Sequence, residues 1–173
     1  MKRILGCVMV VMFLVIVPLL ARGLGENGQA TEKSLNKNNK GVVTKGYIQD
    51  IKDITIKNID FRRVLYTAKQ CQLVVMALKP GEDIGMEIHK SDQFFRVEAG
   101  SGEAVLDGVR TTISAGFAVV VPGGTKHNII NTGSVPMKLY TLYAPPNHRK
   151  DVVHHTRAEA ESDNEHFDGK TTE

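Results

Sequence analysis

The chain has 173 residues, 42% of them apolar, which is enough to bury one sizeable core and too many for a wholly disordered polypeptide. Its 22 Lys and Arg against 19 Asp and Glu give a net charge of +3, all of which resides in residues 1–23 through Lys2, Arg3 and Arg22. The rest of the chain is neutral, which is poor material for tracking a nucleic acid and disfavours that class of function.

Met1-Lys2-Arg3 precedes an uncharged apolar run, Ile4 to Leu20, that contains Pro18 and is followed by Ala21-Arg22-Gly23. That order of basic, apolar and small residues is the pattern of a secretory signal peptide cut before Leu24. The run is also just long enough to remain as a membrane anchor. The expectation is a secreted or periplasmic protein, or one tethered by residues 1–23, with no other membrane contact. Residues 24–47 are rich in Gly, Asn, Lys and Ser and read as a flexible linker. Beyond the export segment Cys71 stands alone, so the mature chain forms no internal disulfide, and it reads as a small apolar residue of a core strand.

Residues 48–151 carry a strand pattern. Asp53–Lys57 alternates, and Gln72–Leu78 is a buried apolar run stopped by Pro80-Gly81. Further strands are predicted over 94–99, 103–106, 110–113, 117–121, 128–131 and 137–143, separated by Gly-rich turns. Asp107-Gly108 is a two-residue hairpin signal of the type that needs positive φ at both positions. Short strands with this punctuation, and no long amphipathic helix, predict an all-β sandwich or barrel. Residues 152–173 form a tail of net charge −4 that reads as solvated, although Ala158-Glu159-Ala160-Glu161 has the composition of a short helix.

Chemistry concentrates on a few side chains. Glu87 and His89 are two apart, so a strand projects both to one face, and burying the pair calls for a compensating partner such as a metal ion. Gln93 begins the next strand, and His127 follows Pro122-Gly123-Gly124-Thr125-Lys126 at the start of another. Gly116, Pro122, Gly124, His127 and Asn131 satisfy every fixed position of the pattern G-x5-P-x-G-x2-H-x3-N. A chance match is on the order of one in tens of thousands. Gly81, Glu87, His89, Gln93 and Gly100 keep the spacing of G-x5-H-x-H-x3-4-E-x6-G, with Glu87 in place of the first His and Gln93 in place of Glu.

Over residues 70–144 the chain thus resembles the cupin superfamily, whose two motifs these are. The resemblance implies a double-stranded β-helix, that is, a jelly-roll barrel, and a single divalent transition metal held by Glu87, His89, Gln93 and His127. Two imidazoles, a carboxylate and an amide suit Fe, Mn, Zn or Ni. It also implies pairing into homodimers. Strand alternation places Phe95, Met76 or Leu78, and Tyr143 around a mostly apolar pocket for a small molecule. Arg63, Tyr66 and Arg96 are candidates for orienting a polar or anionic substrate. His148, His154 and His155 fall beyond the expected barrel, and His166 reads as solvated.

Two functions from different classes follow. One is a metal-dependent isomerase, dioxygenase or decarboxylase acting on a carbonyl-, enol- or sugar-type molecule. The other is a non-catalytic module that captures a small ligand, with or without metal. A proton-abstracting enzyme needs a base that is not itself a metal ligand, and only Glu98 and Tyr66 suggest themselves, Glu98 with outward parity.

Overall fold

The structure, a computed structural model, describes residues 45–173. The expectations for the 1–23 export segment and for most of the 24–47 linker lie outside the described residues. Among the described residues no helix is long and apolar enough to cross a membrane.

The first element corrects the sequence reading. Helix α1 spans Ile51–Lys57, where alternation suggested a strand. Local chemistry outweighs five residues of period two: Asp50 caps the helix by accepting from Asp53 N–H at 3.0 Å, and Lys57 pairs with Asp53 one turn away. Thr55 is its buried position.

The strands then follow in order: β1 (Arg62–Thr67), β2 (Gln72–Leu78), β3 (Asp92–Ala99), β4 (Ser101–Leu106), β5 (Val109–Ser114), β6 (Ala118–Val121), β7 (His127–Ile130), β8 (Met137–Ala144) and β9 (Val153–His154). A second short helix, α2, spans Arg157–Ser162. Seven of the strands coincide with predicted runs, while β1 and β9 are additional. Six strands form an antiparallel sheet in the order β6-β3-β8-β2-β1-β9, and three form a second in the order β5-β4-β7. Buried residues of both sheets, including Val74, Met76, Leu78, Phe95, Val97, Ile113, Ile129 and Leu139, make one core. This is the all-β jelly-roll barrel expected.

Asp107 and Gly108 take φ of 47° and 85°, so the β4–β5 turn is the hairpin that the dipeptide predicted. In β3, Gln93, Phe95 and Val97 are buried while Phe94, Arg96 and Glu98 are less so, which gives the alternation that carries Gln93 inward.

Cys71 is exposed, in the turn where Ala68 N–H donates to Cys71 O, one residue before β2, and so is no core residue. The C-terminal segment is not a solvated tail either. Its β9 pairs with β1 through Arg62–His154 and Arg63–Val153, and Thr172 N–H donates to Thr67 O at 2.8 Å. The open edge of β1 supplies unpaired backbone groups, and two acidic residues of the segment, Asp163 and Glu165, pair with His154 and His148.

Candidate metal centre

The small sheet is longer than its named strands. Residues 81–87 run antiparallel beside β7: Gly81 N–H donates to Asn131 O, Ile84 N–H to Ile129 O, and Glu87 and His127 exchange both backbone hydrogen bonds at 2.9 and 3.0 Å. The main chain thereby sets Glu87 opposite His127. Asn131 holds the far end by donating to Leu78 O and Val135 O, a structural role. Gly123 lets the motif turn close, because a Cβ there would lie 2.3 Å from Lys90 O.

Potential donor atoms of Glu87, His89 and His127 all lie within 4.8 Å of one another. Gln93 belongs with them, for its Oε1 is 2.9 Å from Nε2 of both His89 and His127. The four residues expected to form the site therefore meet. His127 and Gln93 are fully buried, whereas the Glu87 side chain is 24% exposed.

The histidine tautomers follow from their outer partners. His89 Nδ1 is 2.9 Å from Ser91 O, and His127 Nδ1 is 2.9 Å from Thr125 O. A carbonyl only accepts, so each Nδ1 carries the hydrogen and each Nε2 turns a lone pair inward. Gln93 Nε2 donates to Thr141 Oγ1 at 3.0 Å, which turns the amide oxygen inward as well. Glu87 Oε2 completes the set, 3.8 Å from His127 Nε2. Two imidazole nitrogens, an amide oxygen and a carboxylate thus converge with no hydrogen to share. Such a cluster of acceptors is unfavourable by itself and suits a cation. Two imidazolium rings 4.9 Å apart would be a poor substitute, since they repel. The residues present therefore fit a divalent metal ion.

Phe95, Met76 and Tyr143, expected to line a pocket, are each about 1% exposed and belong to the core. Tyr143 lies edge-on to His89 and Phe95 tilts against His127. A cleft of about 250 Å³ is lined by Phe61, Arg62, Gly85, Glu87 and, from α2, Arg157 and Glu161. Glu87 belongs to both the metal donors and this cleft.

The three candidates for orienting a substrate point away from the centre. Arg63 pairs with Asp60, Tyr66 donates to Glu173, and Arg96 pairs with Glu98. Arg62, one residue before Arg63 and hence on the opposite face of β1, was missed. It is 7% exposed and places Nη2 3.4 Å from Glu87 Oε1. The burial parity of β1 was the available signal, but the strand itself went unpredicted.

His148 was also missed. It is buried, packs edge-on against Tyr143, and places Nδ1 2.5 Å from Glu165 of the C-terminal segment. Burial holds the His148 imidazole below its ordinary value, and the Glu165 contact opposes this without overcoming it. Burial pushes Glu165 upward, but hydrogen bonds from His148 and Arg149 N–H leave it net lowered. Both shifts act in one direction. As pH falls, the unfolded chain takes a proton at a histidine near pH 6.5 and at a glutamate near pH 4.3 before the folded protein does. Stability is therefore expected to decline from about pH 7 downward, and again below about pH 5. Glu165→Gln is expected to lessen the lower decline, to which Asp60, Glu159 and Asp168 also contribute, and to retain the upper, as read by thermal unfolding between pH 3 and 8.

Comparison with known proteins agrees with this geometry. A family model described as Cupin domain matches residues 74–143. The chain is 44% identical over 123 residues to the uncharacterized protein YrkC of Bacillus subtilis (strain 168), covering 67% of this chain and 66% of that one. It is 41% identical over 107 residues to the uncharacterized protein L612 of Acanthamoeba polyphaga mimivirus, covering 59% and 67% respectively. The matches thus span about two thirds of these relatives' own length. Among solved structures, BH2720 from Bacillus halodurans superposes with a TM-score of 0.68 at 39% identity, over 70% of this chain and 97% of that chain. With the second motif complete, the first kept in its spacing, a jelly-roll barrel around them and a match to the Cupin domain model, the chain belongs to the cupin family.

Proposed function

We propose that the protein holds one divalent transition metal, Fe, Mn, Zn or Ni, on Glu87, His89, Gln93 and His127, and acts on a small carbonyl-, enol- or sugar-type molecule entering through the cleft. The observation that carries this reading is the convergence of acceptor atoms with both Nδ1 hydrogens committed to carbonyls. A bound ion supplies Lewis acidity toward an oxygen of that molecule. The protein's own part is to fix the donors, through Ser91 O, Thr125 O and Thr141 Oγ1, and to exclude water with the Tyr143 and Phe95 rings. A second reading, non-catalytic capture of the same kind of ligand, is favoured by one feature of the cleft. Its carboxylates are Glu87, a metal donor, and Glu161, which pairs with Arg157, so no free base faces it among the described residues.

Metal analysis of the full chain tests the shared premise, with about one ion per chain expected. At a metal concentration 100 times Kd the ion stabilises by about 2.7 kcal/mol. Stripping it with a chelator should lower the unfolding midpoint by roughly 10 °C. A chain that retains none of the four metals after reloading, with an unchanged midpoint, would falsify the proposal. Dioxygen uptake and isomer formation over a panel of enediols and sugars then separate turnover from capture. The apolar stretch 4–20 supports export, and the resemblance supports a homodimer; N-terminal sequencing and sedimentation read these two points independently.

A further inference from the structure

Arg62 has no complete partner. Its guanidinium carries a permanent charge, yet the side chain is only 9% exposed. Its single side-chain hydrogen bond is the long one, 3.4 Å from Nη2 to Glu87 Oε1, and its Nε has no hydrogen-bond partner. The other carboxylate in its field, Glu165, is committed to His148 and Arg149 N–H. Glu87 is itself a metal donor, so an ion at the centre draws on the same negative charge that Arg62 uses. The guanidinium is held from behind by the Phe61 ring, 5.8 Å away, and it lines the cleft beside Glu87. The other arginine of the cleft is different: Arg157 is paired with Asp83 at 2.6 Å and with Glu161 at 2.8 Å. A buried, under-paired guanidinium beside the metal donor Glu87 is a cost to the folded protein unless a ligand completes it.

We infer that Arg62 is the anion-recognition group of the cleft, and that the molecule received there is a small 2-hydroxy or 2-oxo acid. Its carboxylate pairs with the Arg62 fork, and its neighbouring hydroxyl or carbonyl oxygen faces the metal donors. Planar bidentate pairing is what a guanidinium offers a carboxylate and a neutral diol cannot use. The inference rests on the metal-centre reading above, and narrows its substrate class from carbonyl, enol or sugar to acids of this kind.

The test compares two probes that differ in the carboxylate, lactate and propane-1,2-diol, titrated calorimetrically into the Mn²⁺-loaded full chain. Lactate is expected to bind at least tenfold more tightly. Arg62→Gln should erase that preference without changing metal content or diol binding, and Arg62→Lys, which keeps the charge and loses the fork, should restore part of it. Arg63→Gln, on the outer face, should leave lactate affinity within twofold. Equal affinity for the two probes in the wild type, absent binding of both, or an equal loss of both in Arg62→Gln overturns the inference while the metal centre stands. A chain that takes up no Mn²⁺ overturns the metal reading first and this inference with it.

Discussion

Replacing His127 with alanine is expected to abolish metal retention, with affinity falling by more than about 100-fold, beyond the range usual for the loss of a supporting outer contact. His127 is fully buried, and three constraints act on it together. Its backbone exchanges hydrogen bonds with Glu87, its Nδ1–H is fixed by Thr125 O, and its Nε2 lies 2.9 Å from Gln93 Oε1. Alanine keeps the first and removes the other two, so the loss falls on the centre rather than on the strand pairing. The metal-free variant should also lose about 1–3 kcal/mol, because Thr125 O is left without its donor and the Phe95 ring without a neighbour. Metal content after dialysis and the urea midpoint of the stripped protein give the two quantities separately. Stoichiometric metal surviving in this variant would place the ion somewhere else.

The largest expected effect on stability belongs to a glycine outside the motifs. A Cβ on Gly102 would lie 1.9 Å from Ile130 O and 2.5 Å from Met137 Cε. The methionine end can swing away, but the carbonyl is main chain on β7, the strand paired to β4 from Glu103–Ile130 to Leu106–His127. Gly102→Ala must therefore open that pairing. A cost of about 3 kcal/mol or more is expected, the upper range for overpacking. Because β7 carries His127, metal affinity should fall as well. Gly108→Ala is the comparison: nothing lies within 4 Å of its Cβ, and only its φ of 85° opposes a side chain, at a cost of about 1–2 kcal/mol. If both variants melt alike, the close approach of β4 to β7 is not what limits Gly102.

Much of this was legible because the motifs are themselves statements about backbone. Glycines at fixed spacing mark the turns, and the four donors follow at positions whose parity the strands determine. Gln93, Phe95 and Val97 face inward as alternation requires. What escaped were features decided by partners far away in sequence. β1 reads as charged and irregular because Arg62 is buried against Glu87, twenty-five residues on. The C-terminal segment reads as acidic and solvated because its net charge conceals that Glu165 and Asp163 face His148 and His154. α1 was mistaken for a strand because five alternating residues cannot distinguish the two periods, whereas the Asp50 cap can. Choosing Arg63 over Arg62 was a parity error of one residue, since without a recognised strand there was no face to assign.

The antiparallel bridge between Glu87 and His127 has one more consequence. These donors are forty positions apart in the chain, and no local element can bring them within reach of each other. Glu87 and His127 meet only when residues 81–87 have closed along β7, and the donor set is complete only when β3 has delivered Gln93 from the opposite sheet. Metal competence is thus a property of the finished barrel, and the rate at which a refolding chain acquires its ion measures closure of the two sheets on each other. For a chain with no tryptophan, the metal would serve as the natural clock of its own assembly.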